Sequence, residues 1–552
     1  MNVLKKVFAV IFAASLIVGA LSACGGDVKN TGATQEYVKD ENLNEPGVFP
    51  VCKEPITLRV GLPKSTLVTD YVDNSYTKKL EELMNCKIEF EYLPGTDTMQ
   101  KVELMMTSGG DELPDIICGV NFTDGALVSY GQSGMIVPLN AYYENSAYYL
   151  KDVFKAEEDL KELITLPDGN MYYVPKYQKV LSNELGCDRA WINKKWLDKL
   201  GLDMPETTDE FKKVLKAFKE QDPNGNGKPD ELPFSGYTNV GNLCGLEYLF
   251  GSFTKFTPKT SYLYVKDGKV QAGYMQEGWK EAAKYCAELY SEGLISDSTF
   301  TVDTNSFAPL KNNPDIPILG TFVAMGMGFS SDVIDRYNDY VSLPPLKGSN
   351  GYRSAVWVPG IPSSGLVVTK NCKYPEAAFR LGDLMCSEEM SLSNRWGLKD
   401  VDWKYAEEGA VGRFEDMGYK AIVEMINNQW SVPQNAHWYG AGANYRGYAL
   451  TAGQVATDNN PSEAAIAEAT KIYYKYADMT DVKKFVYALE DLEDVNELNT
   501  NIEAYVKEMT TAFIIGSRNI DKEWDSYIKE LKNMGVDQLI EYTQKAYDMS
   551  KK

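Results

Sequence analysis

The chain has 552 residues, with 44% apolar and 12% aromatic content; this is enough for sizeable cores in two or three domains and excludes a disordered protein. A formal net charge of -22 argues against nucleic-acid binding, which needs clustered Lys and Arg, and against resting on anionic lipid through a basic patch. One histidine, His437, excludes histidine-rich metal sites, and no Gly-x-Ser-x-Gly elbow exists to supply a serine nucleophile beside it.

Lys5 and Lys6 precede an apolar run, Val7 to Ala20, and then Leu21-Ser22-Ala23-Cys24. Basic, then apolar, then small is the order of a secretory signal, and the run is too short to span a bilayer comfortably. A cysteine placed directly after the small residues resembles the lipobox of bacterial lipoproteins. That resemblance implies that Cys24 is diacylated and becomes the new N-terminus, anchoring the protein to the outer face of the cell membrane, since two acyl chains hold where one is marginal. Residues 1–23 are then signal, and 24–53, rich in Gly, Asn, Thr, Glu and Pro, form a flexible tether. Eight cysteines remain beyond Cys24, widely spaced and without a Cys-x-x-Cys pair. Disulfides are permitted outside the cell but none is implied, and Cys118 and Cys286 fit apolar patterns as buried small hydrophobes.

Folded structure starts at Ile56–Gly61, a short strand. Leu80, Leu83 and Met84 follow at helical spacing, Lys87 to Tyr92 alternates as a second strand, Met99 to Met106 is helical, and Leu113 to Cys118 is a buried strand. Strand, helix, strand, helix, strand predicts a parallel sheet with covering helices, and in such sheets ligands bind beyond the carboxyl ends of the strands. Asn121 lies there, equally fit for a ligand hydroxyl or a turn. Asp124 to Ser133 reads as a helix. Asp168-Gly169 predicts a hairpin between Leu163–Leu166 and Met171–Val174, after which an extended run to Ile192 crosses into a second lobe.

Thr207 and Glu210 form a capping box in front of the stripe Phe211, Val214, Leu215 and Phe218. The segment Asp222 to Glu231 then places oxygen side chains at alternate positions around Gly227, the spacing of an EF-hand loop for Ca²⁺. Asp222, Asn224, Asn226 and Asp230 supply side-chain oxygens and Lys228 a carbonyl. Position twelve is Pro233, so Glu231 is the available substitute, and the ion's role is structural. Further on, Gly278 to Glu292 is helical, Pro314 to Phe322 a strand, Tyr340 to Leu346 a crossover strand and Gly365 to Thr369 a strand returning to the first lobe. A helix opens at Pro375, and C-terminal helices carry Trp524, Tyr527, Ile528 and Leu531 on one face. Trp279 and Trp524, on helical stripes, belong to the core.

These motifs, in this order, resemble a large extracellular solute-binding lipoprotein of an ABC sugar importer, similar to the alginate-oligosaccharide binding proteins. The resemblance rests on the lipobox, Leu113-Pro114-Asp115-Ile116, Trp191-Ile192-Asn193-Lys194-Lys195-Trp196-Leu197-Asp198-Lys199-Leu200-Gly201, the Asp222–Glu231 loop, Pro375-Glu376-Ala377-Ala378 and Asn394-Arg395-Trp396-Gly397 before Asp402-Trp403. It implies an α/β fold of two lobes, a periplasmic-binding-protein-like clamp with crossover hinge strands. Residues 54–180 with 347–430 make the first lobe; 181–346 with part of 431–552 make the second and the C-terminal helices. It also implies a calcium loop ending in consecutive acidic residues, which Asp230-Glu231 reproduces, a monomer, no enzymatic activity, and ABC permease subunits as partners.

A sugar offers an apolar C–H face and a hydroxyl rim, which rigid aromatics with polar edges suit. Trp438, Tyr439 and Trp357 are the expected platforms. Trp430, Trp191 and Tyr177 also lie in segments of low periodicity, and Asn121, Arg189, Asn435 and Arg446 are the polar candidates. Arginine clamps carboxylates, but the negative field of the chain favours a neutral or mixed oligosaccharide. His437 is expected to hydrogen-bond in a wall. A peptide receptor, a surface glycoside hydrolase using two carboxylates, and a sensor passing ligand to a membrane kinase are the competing readings.

Overall fold

The computed structural model describes residues 37, 39–109, 112–186, 189–239, 241–427, 432–456 and 460–551. Cys24, the signal, Cys187 and Trp430 lie outside the described residues.

The first sheet begins as its sequence order predicts. Strand β1 (Ile56–Pro63) leads to α1 (Ser75–Met84), β2 (Cys86–Leu93), α2 (Thr98–Thr107) and β3 (Ile116–Cys118). Asn74 caps α1 by accepting from the Tyr76 N–H at 3.1 Å, and Tyr76, Thr77, Leu80 and Met84 bury its inner face. Both β2 and β3 pair with β1 in parallel. Three more strands complete a six-stranded sheet: β4 (Tyr173–Gln178), β9 (Ser363–Val368) and β10 (Asn444–Arg446), in the order β10-β4-β9-β3-β1-β2. β9 runs antiparallel to both β3 and β4, and β10 runs parallel to β4.

The second sheet has four strands: β5 (Ala190–Asn193), β6 (Leu232–Ser235), β7 (Leu319–Val323) and β8 (Tyr340–Leu343), in the order β8-β5-β7-β6. The helices of this half include α3 (Leu181–Glu184), just before β5; α4 (Thr208–Glu220); α5 (Glu277–Ser291); and, later in the chain, α8 (Pro461–Tyr474). The capping box on α4 forms as predicted, with Glu210 accepting from the Thr207 N–H at 3.1 Å and Thr207 from the Glu210 N–H at 3.2 Å. Between α5 and α8 in sequence, α6 (Pro375–Met385) and α7 (Glu388–Trp396) cover the first sheet. Two C-terminal helices, α9 (Leu492–Ile514) and α10 (Ile520–Asn533), pack on α5, with the buried Trp279 indole donating to Thr510 at 3.2 Å, and α11 (Val536–Met549) packs on both of them.

Each sheet has its own buried cluster, Leu58, Val60 and Leu366 among the first, Ile192, Phe211 and Trp279 among the second. The result is two α/β lobes. Three segments cross between them: β4 to β5, β8 to β9, and β10 to α8. All meet at Glu184, whose Oε2 accepts from the Trp357 indole at 3.0 Å and the Tyr448 hydroxyl at 2.7 Å.

Several local expectations differ. Leu160–Ile164 is a short helix, so the hairpin at Asp168-Gly169 does not form. Leu160, Leu163 and Ile164 share a helical face and bury together, and the turn closes instead through Leu166 N–H to the Asn170 carbonyl, 2.8 Å. β8 is the edge strand of the second sheet, paired antiparallel with β5, and the crossing comes after it, in residues 344–362. The stretch read as tether packs on the first lobe from Tyr37, whose hydroxyl donates to Glu376 at 3.0 Å. Leu43, Val51 and Cys52 enter its core, and Glu376 of α6 accepts from the Asp40 N–H at 2.8 Å. The seven described cysteines are free thiols, with Cys118 and Cys286 buried as expected.

Candidate functional site

Helix α7 starts at Ser387, which accepts from the Met390 N–H at 3.3 Å, and stops at Gly397. Gly397 has φ +99, a left-handed conformation that other residues resist, and a Cβ there would fall 2.1 Å from the Asp402 carboxylate. This abrupt stop leaves Arg395 and Trp396 at the helix end, facing the second lobe. Arg446 comes to the same place at the end of β10. The Arg446 guanidinium lies 5.6 Å and that of Arg395 5.7 Å from the Trp396 ring centroid.

Facing them across the gap are Ser182 and Asn183 of α3, Met325 just after β7, and the first turns of α8. Asn460 caps α8, accepting from the Glu463 N–H at 3.2 Å. Between the two walls lies a cavity of about 400 Å³, with Arg413, Phe414 and Gln454 among its other lining residues. That volume and mixed polar and apolar lining suit a small organic ligand. Among the described lining residues the carboxylate is Glu463, paired to Arg413 at 2.7 Å.

The cavity is electropositive on the first-lobe side. Burial lowers the pKa of Arg446, and the neighbouring Arg395 charge lowers it further. Lys176 of β4 is depressed by burial, then by Arg446 and Arg395. His437 is held down to about 4, first by burial and then by Arg395, so the imidazole is neutral at pH 7.

Of the residues chosen from sequence, Arg446 lines this cavity. Tyr439 is half-buried, stacks on His437 with centroids 6.0 Å apart, and lies close enough to Arg395 to influence its ionisation. Asn121 is exposed beyond β3. Asn435 ties the segment 70–75 down, donating to the Asp73 carbonyl at 3.0 Å. Arg189 is fully buried and shapes the far wall, donating to the Met325 carbonyl at 2.7 Å and to Thr470 Oγ1 at 3.0 Å. The large rings expected as platforms turn into packed interiors, because each indole N–H finds a buried acceptor. Trp438 is 1% exposed, ringed by Tyr71, Tyr76 and Phe90, and donates to Thr77 at 2.7 Å. Trp191 donates to the Ala324 carbonyl at 2.9 Å, and Trp357 to Glu184. Tyr177 is buried beside Tyr445. In the sequence Trp396 is legible as an aromatic at an element end, of the kind that fits a cleft loop, and Arg395 only as part of a motif. The signal for them is a Trp-Gly helix stop preceded by arginine.

The Asp222–Glu231 loop is built as an oxygen nest. Asp222 carboxylate oxygens accept from the N–H groups of Gly225 (2.9 Å), Asn226 (3.1 Å) and Gly227 (2.9 Å). The Asp230 carboxylate accepts from the amides of Asn224 (2.8 Å) and Asn226 (2.9 Å). Glu231 is buried with one carboxylate oxygen, Oε1, lacking a hydrogen-bond partner, and its pKa is raised by burial and by Asp230 and Asp222. An orphaned buried carboxylate oxygen beside two more acidic groups is what a hard cation would satisfy. Among the described residues no three His, Cys, Asp or Glu side chains already converge as a ligand set, so a cation would draw on the amides and the Lys228 carbonyl as well.

Residues 68–391 match the family described as bacterial extracellular solute-binding protein. Over 549 residues the chain is 28% identical to the fructooligosaccharide ABC transporter substrate-binding protein FusA of Streptococcus pneumoniae serotype 4, covering 98% of this chain and 97% of that one. The structure of S. pneumoniae FusA in complex with kestose matches with a TM-score of 0.74 at 25% identity, over 90% of this chain and 99% of that one. The FusA EF-hand mutant in complex with fructo-nystose matches with a TM-score of 0.72 at 25% identity, over the same shares. An HMO-binding, ABC-transporter-associated solute-binding protein from Bifidobacterium longum infantis, 20% identical, has the same fold with a TM-score of 0.74 over 90% of this chain and 99% of that one.

Proposed function

Because the chain belongs to the bacterial extracellular solute-binding protein family, we propose that it captures an oligosaccharide between its lobes and delivers it unaltered to the permease of an ABC importer. The observation that carries this reading is the interlobe cavity with Trp396 on one wall and Met325 and α8 on the other. Trp396 is 5% exposed, packed with Leu392, Trp403 and Val423, and reaches the cavity wall beside the two guanidinium groups, where it would offer a sugar an apolar edge next to donors. FusA, similar along almost the whole chain, is a fructooligosaccharide binder by name and is seen with kestose, which supports the ligand class. Closure would turn on the three crossing segments joined at Glu184, a hinge motion of the kind bilobal binders use. Arg446 and Trp396 would touch the ligand, with Tyr439 beside them; the protein would act as a monomer.

The same proposal gives the Asp222–Glu231 loop a structural Ca²⁺, held by Asp222, Asn224, Asn226, Asp230, Glu231 and the Lys228 carbonyl, which would neutralise the crowded carboxylates and fix the loop against α4. That a similar structure is named for an EF-hand mutant supports it. Cys24 would carry the lipid anchor. Hydrolysis needs two carboxylates flanking the sugar, whereas Glu463 here is committed to Arg413. A thermal-shift screen of the purified protein tests the reading: stabilisation by oligosaccharides and none by peptides supports it, and the reverse overturns it.

A further inference from the structure

Arg446 is only 3% exposed, yet its guanidinium makes no hydrogen bond and no ion pair among the described residues, and its Nε is buried without a partner. Two more cations stand near it: Arg395 on α7, whose charge lowers the Arg446 pKa after burial, and Lys176 on β4, lowered by burial and then by Arg446 and Arg395. Among the described residues of the cavity wall the carboxylate is Glu463, which supports the charge of Arg395 but makes no ion pair with Arg446. Glu463, from α8, pairs with Arg413 at 2.7 Å, and Glu157 pairs with Lys179 at 2.9 Å. His437, the remaining titratable neighbour, stays neutral.

Such an arrangement is unfavourable on its own. A buried cation without a counter-charge bears a large desolvation penalty, and like charges beside it add to that. Stacking on Trp396 offsets part of the penalty but leaves the N–H donors of the fork unsatisfied. In a chain of net charge -22, a local excess of positive charge in one wall of a ligand-sized cavity is not explained by solubility. A planar carboxylate in the cavity would satisfy the Arg446 fork and supply its counter-charge.

We propose that the oligosaccharide taken by this chain carries a carboxylate, a uronic acid or a similar acidic sugar, which seats on Arg446, in the positive field of Arg395 and Lys176, while its ring lies against Trp396. This rests on the carbohydrate reading of the cavity and narrows it; it also reverses the neutral ligand expected from the overall charge, because the field at the site is local.

Calorimetric titration of the purified protein tests it, with oligogalacturonates, oligoalginates and aldouronic acids on one arm and kestose, maltotriose and cellotriose on the other. The expected result is that the tightest acidic sugar binds at least 10-fold more tightly than any neutral one and weakens as NaCl is raised. Arg446→Gln then lowers that affinity at least 10-fold. Lys176→Gln, at a half-buried position, repeats the loss in smaller measure should Arg446→Gln misfold. Neutral sugars binding as well as or better than acidic ones, with no salt dependence, would overturn this inference and leave the carbohydrate reading intact. Binding of neither arm would overturn both.

Discussion

Glu184→Ala removes the acceptor at which the three lobe-crossing segments meet. Its Oε2 receives the Trp357 indole N–H at 3.0 Å and the Tyr448 hydroxyl at 2.7 Å, so one oxygen holds residues from the second and third crossings to α3 of the first. Burial raises the Glu184 pKa and these two donors pull it back down, which marks the hydrogen bonds as compensation for desolvation. Truncation strands both donors. Trp357 is buried and has no route to water, which costs about 1–3 kcal/mol. Tyr448 is half-buried and partly rescued by solvent, about 0.5–1 kcal/mol. A loss of about 1.5–4 kcal/mol follows, while Glu184→Gln, which keeps an oxygen in place for both donors, loses about 1 kcal/mol. Urea unfolding followed by tryptophan fluorescence measures both. If Ala lies within about 0.5 kcal/mol of wild type, or Gln is as damaging as Ala, the joint at Glu184 is not what holds the crossings together.

Chelation with EDTA should lower the melting temperature, and excess Ca²⁺ restore it. At about 100 times its Kd the ion contributes about 2.7 kcal/mol, and Asp222→Ala should abolish the response. His437, held near 4 against an unfolded value near 6.5, binds fewer protons folded than unfolded between those values, so stability should fall as pH drops through that window. The full effect is about 3 kcal/mol, and as the chain's sole histidine its imidazole NMR signal reports the titration unambiguously; a midpoint near 6.5 would refute the burial argument. Trp438→Ala should destabilise by about 3–5 kcal/mol, because it empties the space among Tyr71, Tyr76 and Phe90; a ligand-specific loss with unchanged stability would instead make it a platform.

What can be read from the chain is what is local. Alternating strands and helices from Ile56 to Cys118, the Thr207 cap and the α4 stripe are set by spacing within a few residues, and the structure has them. The hairpin at Asp168 does not form because Leu160, Leu163 and Ile164 satisfy helical and strand patterns alike over so short a run. β8 belongs to the second sheet rather than to the crossing because its pairing with β5 joins residues far apart in sequence. Aromatic residues are the hardest to assign. Trp357, Trp396 and Trp438 all sit in irregular segments or at element ends, and only tertiary contacts decide that one lines the cavity while the others donate to buried acceptors.

The central claim is that a sugar enters the gap between the lobes and leaves it intact. Titrating the protein with the best oligosaccharide from the screen, and then recovering that sugar by chromatography, tests it most directly. The expected result is saturable one-to-one binding, lost in Trp396→Ala, with the sugar recovered at its original length. Shortened sugar, or binding that Trp396→Ala leaves untouched, would contradict it.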